Sequence, residues 1–136
     1  MSVEFVDTNI FFYSLDLTAG SKRHKAKSLI ARLFETGAGA ISTQVLIELY
    51  STATRKLPLP AEELRATIAE LDHWTVHQPS HASILSAIDL KDRHQIPWLD
   101  ALILNSATEL GCSILWTEDL SSGQQCGSVR VLNPFL

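Results

Sequence analysis

Four acidic residues, Asp7, Glu48, Asp100 and Asp119, stand where their carboxylates could meet. Asp7 directly follows the apolar run 3–6, and Asp119 comes shortly after Ile114-Leu115-Trp116. Glu48 lies inside Val45-Leu46-Ile47-Glu48-Leu49-Tyr50, and Asp100 opens an otherwise apolar stretch that reaches Leu104. A carboxylate on or beside a buried face is costly unless it meets a partner or a metal. Four such groups without matching Lys or Arg would repel one another until some became neutral. A hard divalent ion relieves that repulsion, and an all-oxygen set suits Mg²⁺ or Mn²⁺. The chemistry that follows is metal-assisted hydrolysis of a phosphodiester. Each acid also has a plain structural reading: a strand-end turn, a surface helix charge, a first-turn acid or a cap.

The elements needed to bring the four together can be read along the chain. Strands are expected at 3–6, 38–42, 74–77, 113–116 and 129–132. Helices are expected at 9–15, at 21–36 with Ser21 as N-cap and Gly37 as stop, and from Ser42 or Thr43 to about 56. Three more span 61–71, 80–94 and 97–110, the last with Pro97 in its first turn. Strands alternating with helices predict an α/β domain with a mostly parallel central sheet covered on both faces. In such a sheet ligands bind beyond the carboxyl ends of the strands. Asp7 and Asp119 follow strands, while Glu48 and Asp100 sit early in helices that begin at that edge.

Composition sets the frame. The 136 residues, 46% hydrophobic and 19% charged, suit one domain with a real core and show no repeat or linker. No apolar run reaches membrane-spanning length, and the first residues lack a signal-peptide pattern, so a cytoplasmic protein is expected. Cys112 and Cys126 form no Cys-x-x-Cys pair and are read as packing residues. A net charge of −4 argues against holding nucleic acid by charge neutralisation alone, yet bound divalent ions could supply positive charge where phosphate docks.

Four stretches, Val6-Asp7-Thr8-Asn9-Ile10, Ser42 to Tyr50, Trp98 to Ile103 and Leu115 to Leu120, together resemble the PIN domain family. The tail with Gly123-Gln124, Gly127 and Val131-Leu132-Asn133-Pro134-Phe135 is similar to its VapC-like toxin branch. The resemblance spans nearly all of residues 1–136 and implies a three-layer α/β/α sandwich. It also implies a Mg²⁺- or Mn²⁺-dependent endoribonuclease, the toxin of a toxin–antitoxin pair, that forms a homodimer and is inhibited by a cognate antitoxin. Asp7 and Asp100 match the direct metal ligands. Glu48 and Asp119 match the remaining acids, and Thr8, Asn9 and Thr117 match supporting positions. One departure is Pro97-Trp98-Leu99, where many members carry Ser or Thr with an aromatic residue before the third acid.

The other signals are weaker. Lys22, Arg23 and Lys25 form a basic helix start that could contact RNA phosphates or simply face solvent. Arg55 and Lys56 are explained by the helix dipole. Glu118 is expected to point to solvent. His73, His77 and His81 recur every fourth residue, but Pro79 and the run Trp74-Thr75-Val76 break any single helix and argue against a metal site. Phe11-Phe12-Tyr13 and Leu57-Pro58-Leu59-Pro60 are candidates for antitoxin or dimer contacts. Rival readings are a PIN-fold RNA- or protein-binding module without catalysis and a housekeeping RNA-processing nuclease. A phosphoacceptor domain would want adjacent acids after one strand and a late Lys, and an Asp-nucleophile phosphatase would want Asp-x-Asp where this chain has Asp7-Thr8-Asn9.

Overall fold

The computed structural model describes residues 2–136. Its elements run β1 (Glu4–Val6), α1 (Thr8–Leu15), α2 (Ser21–Thr36), β2 (Gly39–Ser42), α3 (Thr43–Lys56) and α4 (Ala61–Glu70). A single 3₁₀ turn (Leu71–His73) leads into β3 (Thr75–His77), α5 (His81–His94), α6 (Trp98–Glu109), β4 (Ile114–Trp116), β5 (Gln125–Cys126) and β6 (Val129–Leu132). The six strands stand in the order β3-β2-β1-β4-β6-β5. All neighbours are parallel except β5 and β6.

That order has a consequence for the site. From β1 the chain builds outward through β2 to β3, then returns to lay β4 on the other side of β1. The direction of winding reverses between β1 and β4, and crossovers of one hand then cover opposite faces of the sheet. Helices α1 to α4 pack among themselves, and α5 packs on α6. The architecture is the expected α/β/α sandwich with a mostly parallel sheet. The reversal opens a crevice beyond the carboxyl ends of β1 and β4, where this class of sheet binds ligands.

The central strands are buried on both faces, as parallel strands require. Phe5, Val6, Ile41, Leu115, Val129 and Val131 are wholly buried, and Ile10, Leu33, Val45, Leu49 and Leu104 pack from the helices. Cys112 and Cys126 are buried free thiols in this core. The charged residue buried within β1 is Glu4, whose carboxylate is gripped by two Arg32 guanidinium nitrogens at 3.0 and 3.1 Å and by Trp116 Nε1 at 2.8 Å.

Local signals account for most helix ends. Ser42 caps α3 by accepting the Val45 amide, and Ser80 caps α5 in a reciprocal pair with Ser83. Several expected starts shift by one residue: α1 begins at Thr8 rather than 9, and α5 at His81 rather than 80. Gly20, not Ser21, holds the cap position of α2, because the chain turns there at φ 61° and ψ −127°, a region only glycine enters freely. Pro97 caps α6 from outside rather than entering its first turn. The two-residue β5 was not expected at all. No helix among the described residues is long and apolar enough to cross a membrane.

Candidate metal centre

Asp7 leaves β1 and becomes the N-cap of α1. Its Oδ1 accepts the Thr8 amide at 2.7 Å and its Oδ2 accepts the Thr117 hydroxyl at 2.8 Å, which fixes both oxygens in a buried position. Asp100 enters from the first turn of α6. Asp119 lies in the loop after β4, where Asn9 Nδ2 donates to its carboxylate at 3.0 Å and its own amide donates to Thr117 Oγ1 at 3.1 Å. One carboxylate oxygen from each of Asp7, Asp100 and Asp119 lies within 4.8 Å of the other two.

Among the described residues no lysine, arginine or histidine ion-pairs with any of the three. Burial, with the Asp119 and Asp100 charges adding to it, pushes Asp7 up to about 7 against the opposing hydrogen bonds from Thr117 and Thr8. Asp100 is raised to about 6 by burial, then by the charges of Asp119 and Glu48. The site therefore holds more negative charge than its own groups can neutralise, the condition under which a divalent cation binds well. Asn9 Oδ1 is also buried without a hydrogen-bond partner among the described residues, and Asn9 lines the same cleft. The donor set fits a hard cation such as Mg²⁺ or Mn²⁺.

Glu48 is not part of this close triad. It forms a wall of the same cleft, which encloses about 350 Å³. Its carboxylate accepts Gln44 Nε2 at 2.7 Å and Thr8 Oγ1 at 3.5 Å. Gln44 also donates to the Leu99 carbonyl at 3.2 Å, tying α3 to the start of α6 beside Asp100. So three of the four expected acids share one point, and the fourth flanks it. Thr8 and Asn9 hydrogen-bond to these acids, and Thr117 touches both Asp7 and the Asp119 amide.

Thr52 and Lys56 also line the cleft. The sequence offers no sign of a role for Thr52, and Lys56 is expected only to serve the helix dipole, although Glu48, Thr52 and Lys56 follow one another at intervals of four on α3, which puts them on one helix face. The basic start of α2 faces elsewhere. Lys22 pairs with Glu118 at 3.0 Å, Lys25 reaches the Phe135 carbonyl at 3.4 Å, and Arg23 lines a separate groove. Glu118 does point away from the triad, but not into solvent, because Tyr13 and Lys22 both bind its carboxylate. The three histidines do not meet: His77 binds Glu109 at 2.7 Å and Ser106 at 2.8 Å, while His73 approaches Asp72.

A comparison with curated proteins by sequence found no match. Solved structures do match. A toxin–antitoxin complex from Klebsiella pneumoniae has a chain 23% identical over 98% of both chains, with a TM-score of 0.70. Mycobacterium tuberculosis VapC20, described as a toxin that cleaves the sarcin-ricin loop, is 20% identical over 82% of this chain and 86% of its own, with a TM-score of 0.66. VapBC2 from Rickettsia felis, solved on a fragment of promoter DNA, is 18% identical over 96% of this chain and 98% of its own, with a TM-score of 0.69. At such identities the likeness concerns the fold. The PIN domain model, however, matches residues 5–121, which include all four acids, β4 and all but the first residue of β1. This chain belongs to the PIN domain family.

Proposed function

We propose that the chain is a metal-dependent endoribonuclease, the toxin of a type II toxin–antitoxin pair, that hydrolyses RNA phosphodiester bonds in the cytoplasm. The observation that carries this reading is the set of three carboxylate oxygens within 4.8 Å of one another, none of them ion-paired to a lysine, arginine or histidine among the described residues. Asp7, Asp100 and Asp119 would hold Mg²⁺ or Mn²⁺, which supplies charge to polarise phosphate and water. Thr117 and the Thr8 amide keep Asp7 oriented as a ligand. Glu48, held by Gln44 at the cleft wall, stands where it can orient an attacking water and take its proton. Lys56, on the same wall, offers a positive charge for a neighbouring RNA phosphate.

The partners follow from surface chemistry and from the relatives. A groove of about 640 Å³ between α1, α2 and α4 is lined by Phe11, Ile30, Phe34, Leu59, Leu71 and Trp74. It suits an apolar antitoxin segment, and Arg23 Nε, buried in the groove wall without a partner among the described residues, would receive an acceptor from it. Ile84, Leu85 and Ile88 leave an exposed apolar face on α5 that suits a second copy of the chain.

The test is cleavage of total RNA with and without Mg²⁺, by wild type and by Asp7→Asn and Asp100→Asn. Both substitutions should abolish cutting while the circular dichroism spectrum stays unchanged. Cutting that persists in excess EDTA and in both variants would remove the basis of the proposal.

A further inference from the structure

Asp119 is the most exposed member of the triad and sits on a loop, so something must hold that loop for its carboxylate to complete the set. Asn9 supplies one hydrogen bond. The preceding residue supplies a stronger tether. Glu118 Oε1 accepts the Tyr13 hydroxyl at 2.6 Å, and its Oε2 meets Lys22 Nζ at 3.0 Å. Lys22 in turn lies 4.7 Å from the centre of the Tyr13 ring and 5.4 Å from that of Phe135, and the two rings pack edge to face at 5.2 Å. Lys25 donates to the Phe135 carbonyl, and the Asn133 side chain accepts the Phe135 amide. Helix α1, the start of α2 and the loop after β4 thus meet at one carboxylate, with the C-terminal tail packed against Tyr13 and Lys22.

We infer that Glu118 is a positioning residue: clamped between Tyr13 and Lys22, it fixes the loop so that Asp119 completes the triad with Asp7 and Asp100. Charge-assisted hydrogen bonds of this kind are stronger and more directional than neutral ones. Tyr13 and Lys22 lie 105 and 96 positions from Glu118, and Phe135 packs against both, so the clamp also couples the tail to the site. The inference rests on the reading of the triad as a metal centre. It assigns Lys22 to the clamp rather than to RNA.

The test measures Mn²⁺ affinity of the full chain by calorimetry, alongside thermal melting, for Tyr13→Phe, Lys22→Met and Glu118→Gln. Outer-shell partners of metal ligands typically alter affinity by about 10- to 100-fold. Tyr13→Phe removes one oxygen and no charge, and should weaken Mn²⁺ binding on the order of tenfold. Lys22→Met separates positioning from simple electrostatics. Removing a positive charge near a cation site raises affinity by charge alone, whereas a broken clamp lowers it. In an Asp119→Asn background Tyr13→Phe should cost nothing more, since coupled residues fail to add. Unchanged affinity in Tyr13→Phe, or a rise in Lys22→Met, overturns the inference while leaving the metal centre standing. Absence of Mn²⁺ binding by wild type overturns the metal reading, and this inference with it. Should Glu118→Gln fail to fold, the Tyr13→Phe measurement decides alone.

Discussion

Glu4 and Asp7 are three residues apart, and their surroundings drive them in opposite directions. Arg32 grips Glu4, with Trp116 assisting, and its carboxyl falls below the usual range despite burial. Asp7 has no such cation, and burial lifts it to about 7. A neutralised acid is structural; an acid left uncompensated at a crevice is poised for an external ion. Thr117 moderates the effect, since its hydroxyl stabilises the Asp7 anion. Thr117→Val keeps the shape and deletes that hydrogen bond, so Asp7 should rise further. Metal ligands must be deprotonated. The pH of half-maximal Mn²⁺ binding should therefore move upward, with affinity at neutral pH falling on the order of tenfold; an unchanged titration curve would contradict the role given to Thr117. The acids themselves were legible in the chain because Glu48 and Asp100 interrupt apolar runs and Asp7 ends one. Glu118 was not, because its partners Tyr13 and Lys22 lie 105 and 96 positions away and no local pattern encodes the contact.

At the scale of elements, the sequence carried what depends on neighbours. Ser42 and Ser80 announced helix starts, and Gly37 a stop in the left-handed region at φ 71°. It did not carry what depends on pairing. Strand β5 has two residues and exists only because β6 lies antiparallel beside it. Gly39, the first residue of β2, shows how tightly pairing and packing coincide. A Cβ there would come within 2.5 Å of the Trp74 ring, which packs edge to face on Phe11 at 5.4 Å. Gly39→Ala should therefore push Trp74 and Phe11 outward, destabilising the fold by about 1–3 kcal/mol. Urea unfolding followed by tryptophan fluorescence would show this as a lower midpoint. Equal stability would mean that Trp74 can swing away freely, and that the groove floor it shares with Phe11 is softer than its packing indicates.

The whole molecule bears the cost of its own site. Asp7 unfolds to an ordinary carboxyl of pKa near 3.8 but stands at about 7 in the folded chain, and Asp100 at about 6. Between these values the folded state binds more protons than the unfolded one, so stability falls as pH rises through roughly 4 to 7 and levels above it. The penalty is absent below the unfolded value and complete above the folded one, on the order of a few kcal/mol for a shift of this size. A divalent ion that binds only the folded, deprotonated site acts in the reverse sense, adding stability that grows with its concentration. Without divalent ions, Tm should therefore drop between about pH 5 and about pH 8, and Mn²⁺ should raise it far more at the upper end. Asp7→Asn should flatten the metal-free profile and raise Tm at high pH while removing most of the Mn²⁺ effect, the expected exchange of function for stability. A wild-type melting profile that is flat with pH and indifferent to Mn²⁺ would mean that the carboxylates are compensated from within, and that the crevice between β1 and β4 has no need of an ion.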